Sequence, residues 1–402
     1  MKKGVRYGTV FFLIVATAFI SSIATYFYIS VLVNDLSKNQ AMNSKLNQIN
    51  DVVTKNYIVN IDPMDGYEKI LDGMISGYIQ GLGDPYSYYL NSKNYKTSAI
   101  NIDASFIDIG CRYVFDSATG GVLIDFVRSG SPAQQSGLKI GDIIIEIDGT
   151  NVSEVGFKKA TQMLLGEEGS IVELNIIRAG EGEILPFLIK HTKFIIQTVE
   201  YRMLESQIAY MFINEFTKET LADFTVAYDD VVQKGAKGLI IDVRFNAGGD
   251  LNSAVDVADK IMPVGIITSI RSKTTSTPEI KYSDGKSIDM PIIVIQNSYT
   301  AGVSEVFAAA LRDVMENVVV VGTRTKGVGV AQRDIALTDG TAVRLSVYEY
   351  TTPNGERFNK VGLEPNYVSN MDAEKEQHFD ELSDEDDDQL VFALQHMKNL
   401  LY

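Results

Sequence analysis

A run of 27 residues without a charged side chain, at positions 7–33, most constrains how this chain folds. A helix needs roughly 20 apolar residues to cross a bilayer, so the run predicts one transmembrane helix. Lys2, Lys3 and Arg6 precede it and Asp35 follows it, which predicts a cytoplasmic N-terminus and an extracytoplasmic remainder. We therefore expect a single-pass protein of the cell membrane.

Two alternatives compete with an uncleaved anchor. Small residues at 16–18 and 22–24 suit a cleavable signal peptide, yet the uncharged run is longer than a typical h-region of roughly 7 to 15 residues. A buried core helix is the other alternative, but such a helix rarely has this length or basic residues on one side only. The uncleaved anchor is the preferred prediction, and its cleavage stays open.

Composition narrows the class of protein. The chain has 402 residues, of which 45% are hydrophobic and 22% are charged, as is typical of a globular protein with two or three domains. A net charge of −16 opposes the phosphate backbone, so we expect no nucleic-acid partner. A single cysteine, Cys111, and the lack of any Cys/His cluster with ligand spacing argue against a disulfide scaffold or a structural zinc site. We expect no cofactor and no metal.

Patterns of hydrophobic residues divide the rest of the chain. Residues 36–100 have helical periodicity, and residues 101–190 contain short β-rich runs separated by turn residues. Further on, the apolar runs at 238–243 and 291–295 are each followed by a helical pattern, which is typical of buried strands in an α/β core. The predicted fold class is therefore a multidomain chain of α+β or α/β type.

A small module follows the helical segment. Residues 130–149 contain a short helix entered through Pro132, a glycine exit at Gly137 and a strand that ends in an Asp-Gly turn. This pattern resembles a PDZ domain. The resemblance extends to 157–165 as the groove-lining helix and to 171–178 as the final strand.

The resemblance to PDZ domains implies a site for peptide C-termini. In such domains a peptide adds a strand beside the groove, and a loop of backbone N–H groups captures its terminal carboxylate. By resemblance, Ile109, Gly110 and Cys111 form this loop. We interpret Cys111 as a small hydrophobic residue rather than a redox centre, because a lone cysteine at an apolar strand position usually packs.

Four further segments resemble one family, the carboxyl-terminal processing peptidases, also called tail-specific proteases. They are GDPYS at 83–87, GLIIDVRFNAGG at 238–249, SEVFAAAL at 304–311 and YTTPNG at 350–355. The family combines a PDZ domain with a serine-lysine peptidase core. Together with the patterns described above, the resemblance divides the chain into five predicted parts: 1–35 as a cytoplasmic stub and transmembrane anchor, 36–100 as an N-terminal helical segment, 101–190 as the PDZ domain, 191–370 as a peptidase-like core, and 371–402 as an acidic tail and C-terminal helix.

The resemblance also locates the catalytic positions. The family uses a serine in the run Ser-Ala-Ser-Ala-Ser-Glu and a lysine in Thr-Phe-Gly-Lys-Gly-x-x-Gln, and the lysine must lose its proton to activate the serine. The aligned runs here, 300–305 and 325–332, place Gly302 at the nucleophile and Val328 at the base. Neither side chain can do that chemistry, although Gln332, which holds the lysine in the family, remains. We predict a pseudopeptidase.

A rewired site is the alternative. Thr300 and Ser304 flank Gly302, and Lys326 lies two residues before Val328, so strand alternation can put Lys326 on the same side. A shift of several Å from the oxyanion donors would still be severe, since a displacement of about 1 Å can lower a rate about 10²-fold.

The resemblance to the family also predicts which backbone N–H groups would stabilise an oxyanion. By resemblance, the glycine turn at Gly248 and Gly249 supplies one N–H group and Val303 supplies the other. Phe245 and Ala247 replace an asparagine and a proline that are common in the family, so the shape of this turn stays open. An equal alternative is that these glycines simply close a strand-to-helix turn.

The end of the sequence is acidic. Residues 384–388 are all Asp or Glu, and such hard oxygen ligands suit Ca²⁺, but the glycine-turned loop of an EF-hand is missing. We expect a solvated, flexible linker. Leu390, Leu394 and Met397 then predict one short amphipathic helix.

Three functions compete. We favour a membrane-anchored, extracytoplasmic pseudopeptidase whose PDZ domain binds polypeptide C-termini, unfolded segments or a partner protease, because the scaffold is retained while both catalytic side chains are replaced. Family membership alone implies an active serine-type endopeptidase that processes or degrades extracytoplasmic proteins. The third function is that of a structural subunit, which pairs with an active homologous peptidase through its helical ends.

Overall fold

The computed structural model describes residues 7–62, 65–92, 95, 106–116, 118–128, 130–194, 198–285, 287–379 and 382–401. The chain divides into two compact units, Met1–Met74 and Ile75–Tyr402. Lys2, Lys3 and Arg6, on which the predicted orientation in a membrane depends, lie outside the described residues.

The first unit is mostly helical, as its periodicity predicted. Helix α1 spans Tyr7–Asn56, and helix α2, which begins in this unit, spans Asp65–Gln80. Apolar side chains from both helices, among them Leu46, Ile49 and Met74, line a groove of about 420 Å³.

The predicted transmembrane anchor is wrong. Among the residues that the structure describes, no helix is both long enough and apolar enough to cross a membrane. The prediction rested on the length of residues 7–33 and on their lack of charge. Residues 7–33 also contain hydroxyl side chains, including those of Thr17, Ser21 and Ser22.

The PDZ module follows strand β1 (Tyr88–Leu90). Its strands are β2 (Phe106–Asp108), β3 (Cys111–Phe115), β4 (Val122–Val127), β5 (Ile143–Ile147), β6 (Thr150–Asn151), β7 (Leu165–Glu167), β8 (Ile171–Ile177) and β9 (Leu185–Lys190). Its helices are α3 (Pro132–Gln135), α4 (Val152–Val155) and α5 (Phe157–Met163). The main sheet has the order β3-β4-β5-β8-β9, which leaves β3 at its edge. The Ser131 hydroxyl caps α3 by accepting the N–H of Gln134 at 3.2 Å, so the helix begins where Pro132 predicted.

A six-stranded sheet forms the centre of the second unit. Its strands, in spatial order, are β10 (Val199–Met203), β11 (Ile208–Ile213), β12 (Gly238–Asp242), β15 (Ile292–Gln296), β16 (Val318–Gly322) and β19 (Tyr367–Val368). β11, β12, β15 and β16 are parallel to one another. Every residue of β12 and β15 is buried, which confirms the strands that the continuous apolar runs predicted.

Helices cover both faces of this sheet. They are α6 (Thr220–Gln233), α7 (Leu251–Ile261), α8 (Val303–Val314), α9 (Ala373–Gln377) and α10 (Asp388–Leu401). Side chains of α6, α7 and α8 share one hydrophobic cluster with Leu239 and Val294, whereas Leu390 and Met397 of α10 share the other cluster with Ile293. The predicted amphipathic helix at the end of the chain is thus a layer of the core.

A second sheet contains strand β17, which begins two residues after Val328, the position assigned to the base. Its order is β1-β18-β13-β14, and β17 pairs with β18. The bounds are β13 (Gly265–Ser272), β14 (Glu279–Ser283), β17 (Val330–Ala336) and β18 (Ala342–Thr351).

One residue of the acidic run, Asp387, is buried in the core, whereas Glu385, Asp386 and Asp388 are exposed. Asp387 is 5% exposed, and its Oδ1 accepts a hydrogen bond from Nη1 of the wholly buried Arg244 at 2.8 Å. Asp242 accepts another from Nε of the same guanidinium at 2.9 Å. A buried arginine requires such partners because an unpaired buried charge is strongly unfavourable. Arg244 and Asp387 are 143 residues apart, so composition alone gave no sign of their contact.

Candidate active site

The position assigned to the nucleophile lies where the chain from β15 enters a helix. Helix α8 begins at Val303, directly after Gly302, which has φ 63° and ψ −124°. A residue with a side chain rarely adopts these angles, although strained strand-to-helix turns of this kind are used to expose catalytic nucleophiles. A Cβ built on Gly302 would lie 3.4 Å from the carbonyl oxygen of Ala247, an ordinary contact. The turn therefore has room for a small side chain.

A buried carboxylate joins the two segments that the motifs assigned to catalysis. Glu305 is fully buried in the first turn of α8. Its Oε2 accepts the N–H of Gly302 at 2.9 Å and that of Val328 at 2.7 Å. Its Oε1 accepts the N–H of Gly327 at 2.9 Å and the hydroxyl of Thr325. Burial raises the pKa of this carboxyl, although the four hydrogen bonds oppose that rise. Glu305 thus fixes position 302 relative to position 328.

Gln332, which the family resemblance assigned to holding the base, binds a different side chain. Its amide donates to Ser346 Oγ at 3.2 Å, and the N–H of Ser346 donates to Ser87 Oγ at 3.1 Å. The Ser87 hydroxyl donates to Asp84. The side chain of Val328 is half-buried and has no polar atom. The polar chain that starts at Gln332 therefore ties β17 to the segment before β1.

Among the predicted substitutes, Thr300 and Lys326 are brought together by their backbones. The N–H of Lys326 donates to the carbonyl of Thr300 at 3.0 Å, but Lys326 is exposed. The buried Thr300 hydroxyl donates to the carbonyl of Val243 at 2.8 Å and accepts the N–H of Asn297 at 3.0 Å. The single proton of this hydroxyl is therefore already donated to a backbone carbonyl. Ser304 is fully buried in α8, and its Oγ has no hydrogen-bond partner among the described residues.

The predicted oxyanion turn packs against the start of α8. A Cβ on Gly248 would lie 3.2 Å from the nitrogen of Val303, and a Cβ on Gly249 would lie 2.1 Å from the carbonyl oxygen of Phe216. The N–H of Gly248 donates to Asn246 Oδ1 at 2.9 Å. The N–H groups of Gly249 and Val303 have no acceptor within the described part of the chain, so these two are the donors that remain for an oxyanion.

The predicted carboxylate loop of the PDZ module is closely packed. Gly110 has φ 94°, and a Cβ there would lie 2.2 Å from the Cβ of Ser131, so only glycine fits. Its carbonyl accepts the N–H of Arg128 at 2.8 Å. Ile109 is fully buried and Cys111 is 3% exposed, and burial raises the pKa of the Cys111 thiol well above its ordinary value. Cys111 therefore packs as a small hydrophobic residue.

The PDZ module contacts the glycine turn of the core. The Arg112 guanidinium on β3 donates to the carbonyl of Phe245 and, at 3.0 Å, to Asp125 Oδ1. Arg128 forms an ion pair with Glu215. A cavity of about 260 Å³ at this contact is lined in part by Cys111, Arg112, Arg128, Glu215, Gly248 and Gly249. The peptide loop of the PDZ module and the oxyanion turn thus border the same cavity.

Comparison with known proteins identifies the family. Residues 207–369 match peptidase family S41, residues 103–177 match the PDZ domain, and residues 27–94 match the N-terminal domain of the activating protease CtpB. The chain is 32% identical over 360 residues to the carboxy-terminal processing protease CtpA of Bacillus subtilis (strain 168), a match that covers 88% of this chain and 76% of that protein. This chain belongs to the carboxy-terminal processing proteases.

Further relatives agree with this assignment. The carboxy-terminal processing protease CtpB of the same organism is 31% identical over 343 residues, covering 82% of this chain and 68% of that protein. The solved photosystem II D1 C-terminal processing protease superposes with a TM-score of 0.63 at 26% identity, over 80% of this chain and 86% of that one. The resemblance noted from the sequence is confirmed, with its PDZ domain and its α/β peptidase core.

The sequence did not reveal the role of Phe245. It has φ 58°, in the left-handed region that favours glycine or asparagine. Its ring stacks on Tyr299 with centroids 5.0 Å apart and packs against Phe379 at 4.7 Å, and its N–H donates to Asn297 Oδ1 at 3.0 Å. The replacement of an asparagine was visible in the sequence, but the distant Phe379 that holds the ring was not.

Proposed function

We propose that this chain binds polypeptide C-termini through its PDZ domain and does not hydrolyse the bound chain. One observation carries the proposal: the backbone around the candidate active site is retained, but the side chains at the nucleophile position and at the base position are unreactive. Gly302 occupies the strained turn and Val328 is held by Glu305, yet neither has an atom that can attack a carbonyl or accept a proton. Loss of a nucleophile and its base leaves at most the contributions of binding and of the oxyanion donors.

The neighbouring polar residues support the absence of hydrolysis. A hydroxyl becomes a nucleophile only when a base can take its proton, and the Thr300 proton is bound to a backbone carbonyl. A lysine becomes a base only where burial or a neighbouring cation favours its neutral form, and Lys326 is exposed.

Two features of the PDZ module support peptide binding. Strand β3 lies at the edge of its sheet, where an extended peptide can add as a further strand. Phe115 on β3 and Phe157 on α5 have ring centroids 6.1 Å apart, so the strand and the helix lie side by side as the two walls of a groove. The ligand we propose is a free polypeptide C-terminus, including one carried by an active homologous peptidase. The location of the bulk of the chain outside the cytoplasm stays a prediction.

Cleavage of an unfolded protein tests the catalytic part of the proposal. The full chain and a Gly302→Ser/Val328→Lys variant are each incubated with a reduced, alkylated protein, and fragments are separated by gel electrophoresis. We expect fragments only from the double variant, because the turn at position 302 has room for a Cβ.

The matched variants Ser304→Ala and Lys326→Ala identify the alternative. If the natural chain produces fragments and either substitution abolishes them, the chain is an active serine-type endopeptidase with a rewired site, and the proposal is wrong. If neither the natural chain nor the double variant cuts, the groove has diverged and the structural-subunit function is favoured.

Peptide binding tests the PDZ part separately. A fluorescent peptide with a free C-terminal carboxylate is titrated with the full chain, and the same peptide with an amidated C-terminus is the comparison. We expect the amidated peptide to bind at least about tenfold more weakly, because it lacks the charge that the loop captures. Gly110→Ala should weaken binding of the free peptide, whereas Gly130→Ala, at a positive φ with open space around its Cβ, should not. Equal binding of both peptides would contradict the proposal.

A further inference from the structure

A cleft of about 630 Å³ opens on the second sheet, where a short part of one edge of β18 has no strand partner among the described residues. On this edge β1 pairs with residues 342–344 and β13 pairs with residues 348–351. Residues 345–347 lie between the two, and no described strand pairs with them on that edge. The cleft passes through this gap, with Leu345 and Val347 in its floor.

Positive charge is concentrated at the cleft. Arg271, Lys273, Arg333 and Arg357 line it and all four are exposed. Arg271 and Lys273 have no acidic partner among the described residues, whereas Arg357 lies 3.7 Å from a Glu349 oxygen. This surplus of cations is unexpected in a chain whose net charge is −16.

The two lining carboxylates neutralise these four cations only in part, since Glu349 pairs with Arg357. Asp84 accepts the hydroxyl of Ser87 and the N–H of Tyr86, so its oxygens are bound within their own turn. Glu349 is the other carboxylate in the lining. The cleft therefore combines an apolar floor with four cations against two carboxylates, which complements an extended segment bearing both acidic and apolar side chains.

The cleft also reaches the segment assigned to catalysis. Ser346 in its floor accepts the amide of Gln332, on the strand that follows Val328. The cleft therefore borders β17, the strand that begins two residues after Val328.

We propose that this cleft binds an extended acidic segment of the polypeptide whose C-terminus the PDZ domain captures. The inference rests on the proposed function and adds a ligand class to it, namely polypeptides with acidic residues upstream of the C-terminus. The overall charge of −16 disfavours a nucleic acid as the ligand.

The test uses the full chain and a fluorescent peptide that alternates glutamate with leucine and has an amidated C-terminus, so that capture of a carboxylate by the PDZ loop does not contribute. The comparison peptide has glutamine in place of glutamate. We expect the acidic peptide to bind at least about tenfold more tightly at low salt, and to lose this advantage when salt shortens the Debye length from about 10 Å to about 3 Å.

Substitutions that reverse the charge of cleft residues test whether the acidic peptide binds in the cleft. Arg271→Glu/Lys273→Glu should weaken binding of the acidic peptide by about tenfold or more, since two attractions become repulsions. Lys190→Glu/Lys218→Glu, at exposed lysines outside the cleft, should leave it unchanged. Equal binding of both peptides, or equal losses in both double variants, would overturn the inference. Tighter binding of a single-stranded oligonucleotide or of anionic vesicles than of the peptide would also overturn it.

Failure of this inference is distinguishable from failure of the proposed function. If the free C-terminal peptide still depends on Gly110 while the acidic peptide shows no preference, only the cleft assignment falls. If the free C-terminal peptide does not bind at all, the proposed function itself is wrong.

Discussion

Glu305 shows how a residue outside the reacting pair can shape the site. Its carboxylate accepts hydrogen bonds from three backbone N–H groups and from the Thr325 hydroxyl, all in the interior. A carboxylate suits this environment because both of its oxygens only accept. The surrounding donors therefore require a carboxylate whether or not a nucleophile stands at position 302.

Glu305→Gln should destabilise the chain strongly. An amide has one accepting oxygen, and its NH₂ group would face a backbone donor, so at least one buried N–H loses its partner. Each such loss costs about 1–3 kcal/mol, and we expect a decrease of about 2–4 kcal/mol in the free energy of unfolding in urea. Glu316→Gln, at an exposed residue, is the control and should have little effect. Similar losses in both variants would show that the four donors contribute nothing specific.

Cys111 should be unreactive in the folded chain. It is 3% exposed and burial raises its thiol pKa, so both access and the thiolate fraction are low near neutral pH. We expect a disulfide reagent to react at pH 8 at least about 10²-fold more slowly with the native chain than with the chain unfolded in urea. Because the chain has one cysteine, the rate reports on the PDZ module alone. Comparable rates in both states would mean that the packing around Cys111 opens readily.

At the level of elements, the sequence predicted local features well and distant contacts poorly. Strands β12 and β15 and helix α3 follow from an apolar run or from a proline-entered cap, which neighbouring residues specify. The motif order likewise brought Gly302 and Val328 to one site, where Glu305 joins them. The burial of Asp387 and the packing of Phe245 against Phe379 depend on residues far apart in sequence, and no local pattern encodes them.

Asp387→Asn should loosen α10 from the sheet. The substitution removes one of the two carboxylates that neutralise the buried Arg244, and Asp242 alone then compensates its charge. Breaking a buried pair costs about 3–5 kcal/mol, and with Asp242 still present we expect a loss of about 2–4 kcal/mol, measured by urea unfolding. Glu385→Gln removes a nearby exposed charge and should change stability by less than about 0.5 kcal/mol. An unchanged midpoint for Asp387→Asn would show that Asp242 suffices.

At the level of the whole second unit, the PDZ module and the core are joined by polar contacts. Arg112 reaches the carbonyl of Phe245, and Arg128 pairs with Glu215. Aromatic packing adds to this contact, since Phe126 and Phe212 have ring centroids 6.3 Å apart. These contacts couple the stability of the two modules.

Arg112→Ala/Arg128→Ala should therefore separate their unfolding. We expect calorimetry to show one transition for the second unit in the natural chain and two in the double variant, because the charged contacts between the modules are lost. Arg357→Ala removes an arginine outside this contact and should leave a single transition. Two transitions in the natural chain would show that the modules unfold independently despite these contacts.

The insertion of Asp387 beside Arg244 also sets an order of events during synthesis. A ribosome completes β12, β15 and Arg244 long before it adds the carboxylate and the helix that cover them. Until α10 emerges, the part of the central sheet that Leu390 and Met397 cover stays exposed, and Asp242 is the one of the two carboxylates that can already pair with Arg244. A nascent chain that is interrupted before α10 therefore exposes apolar surface of the sheet, which makes it prone to aggregation.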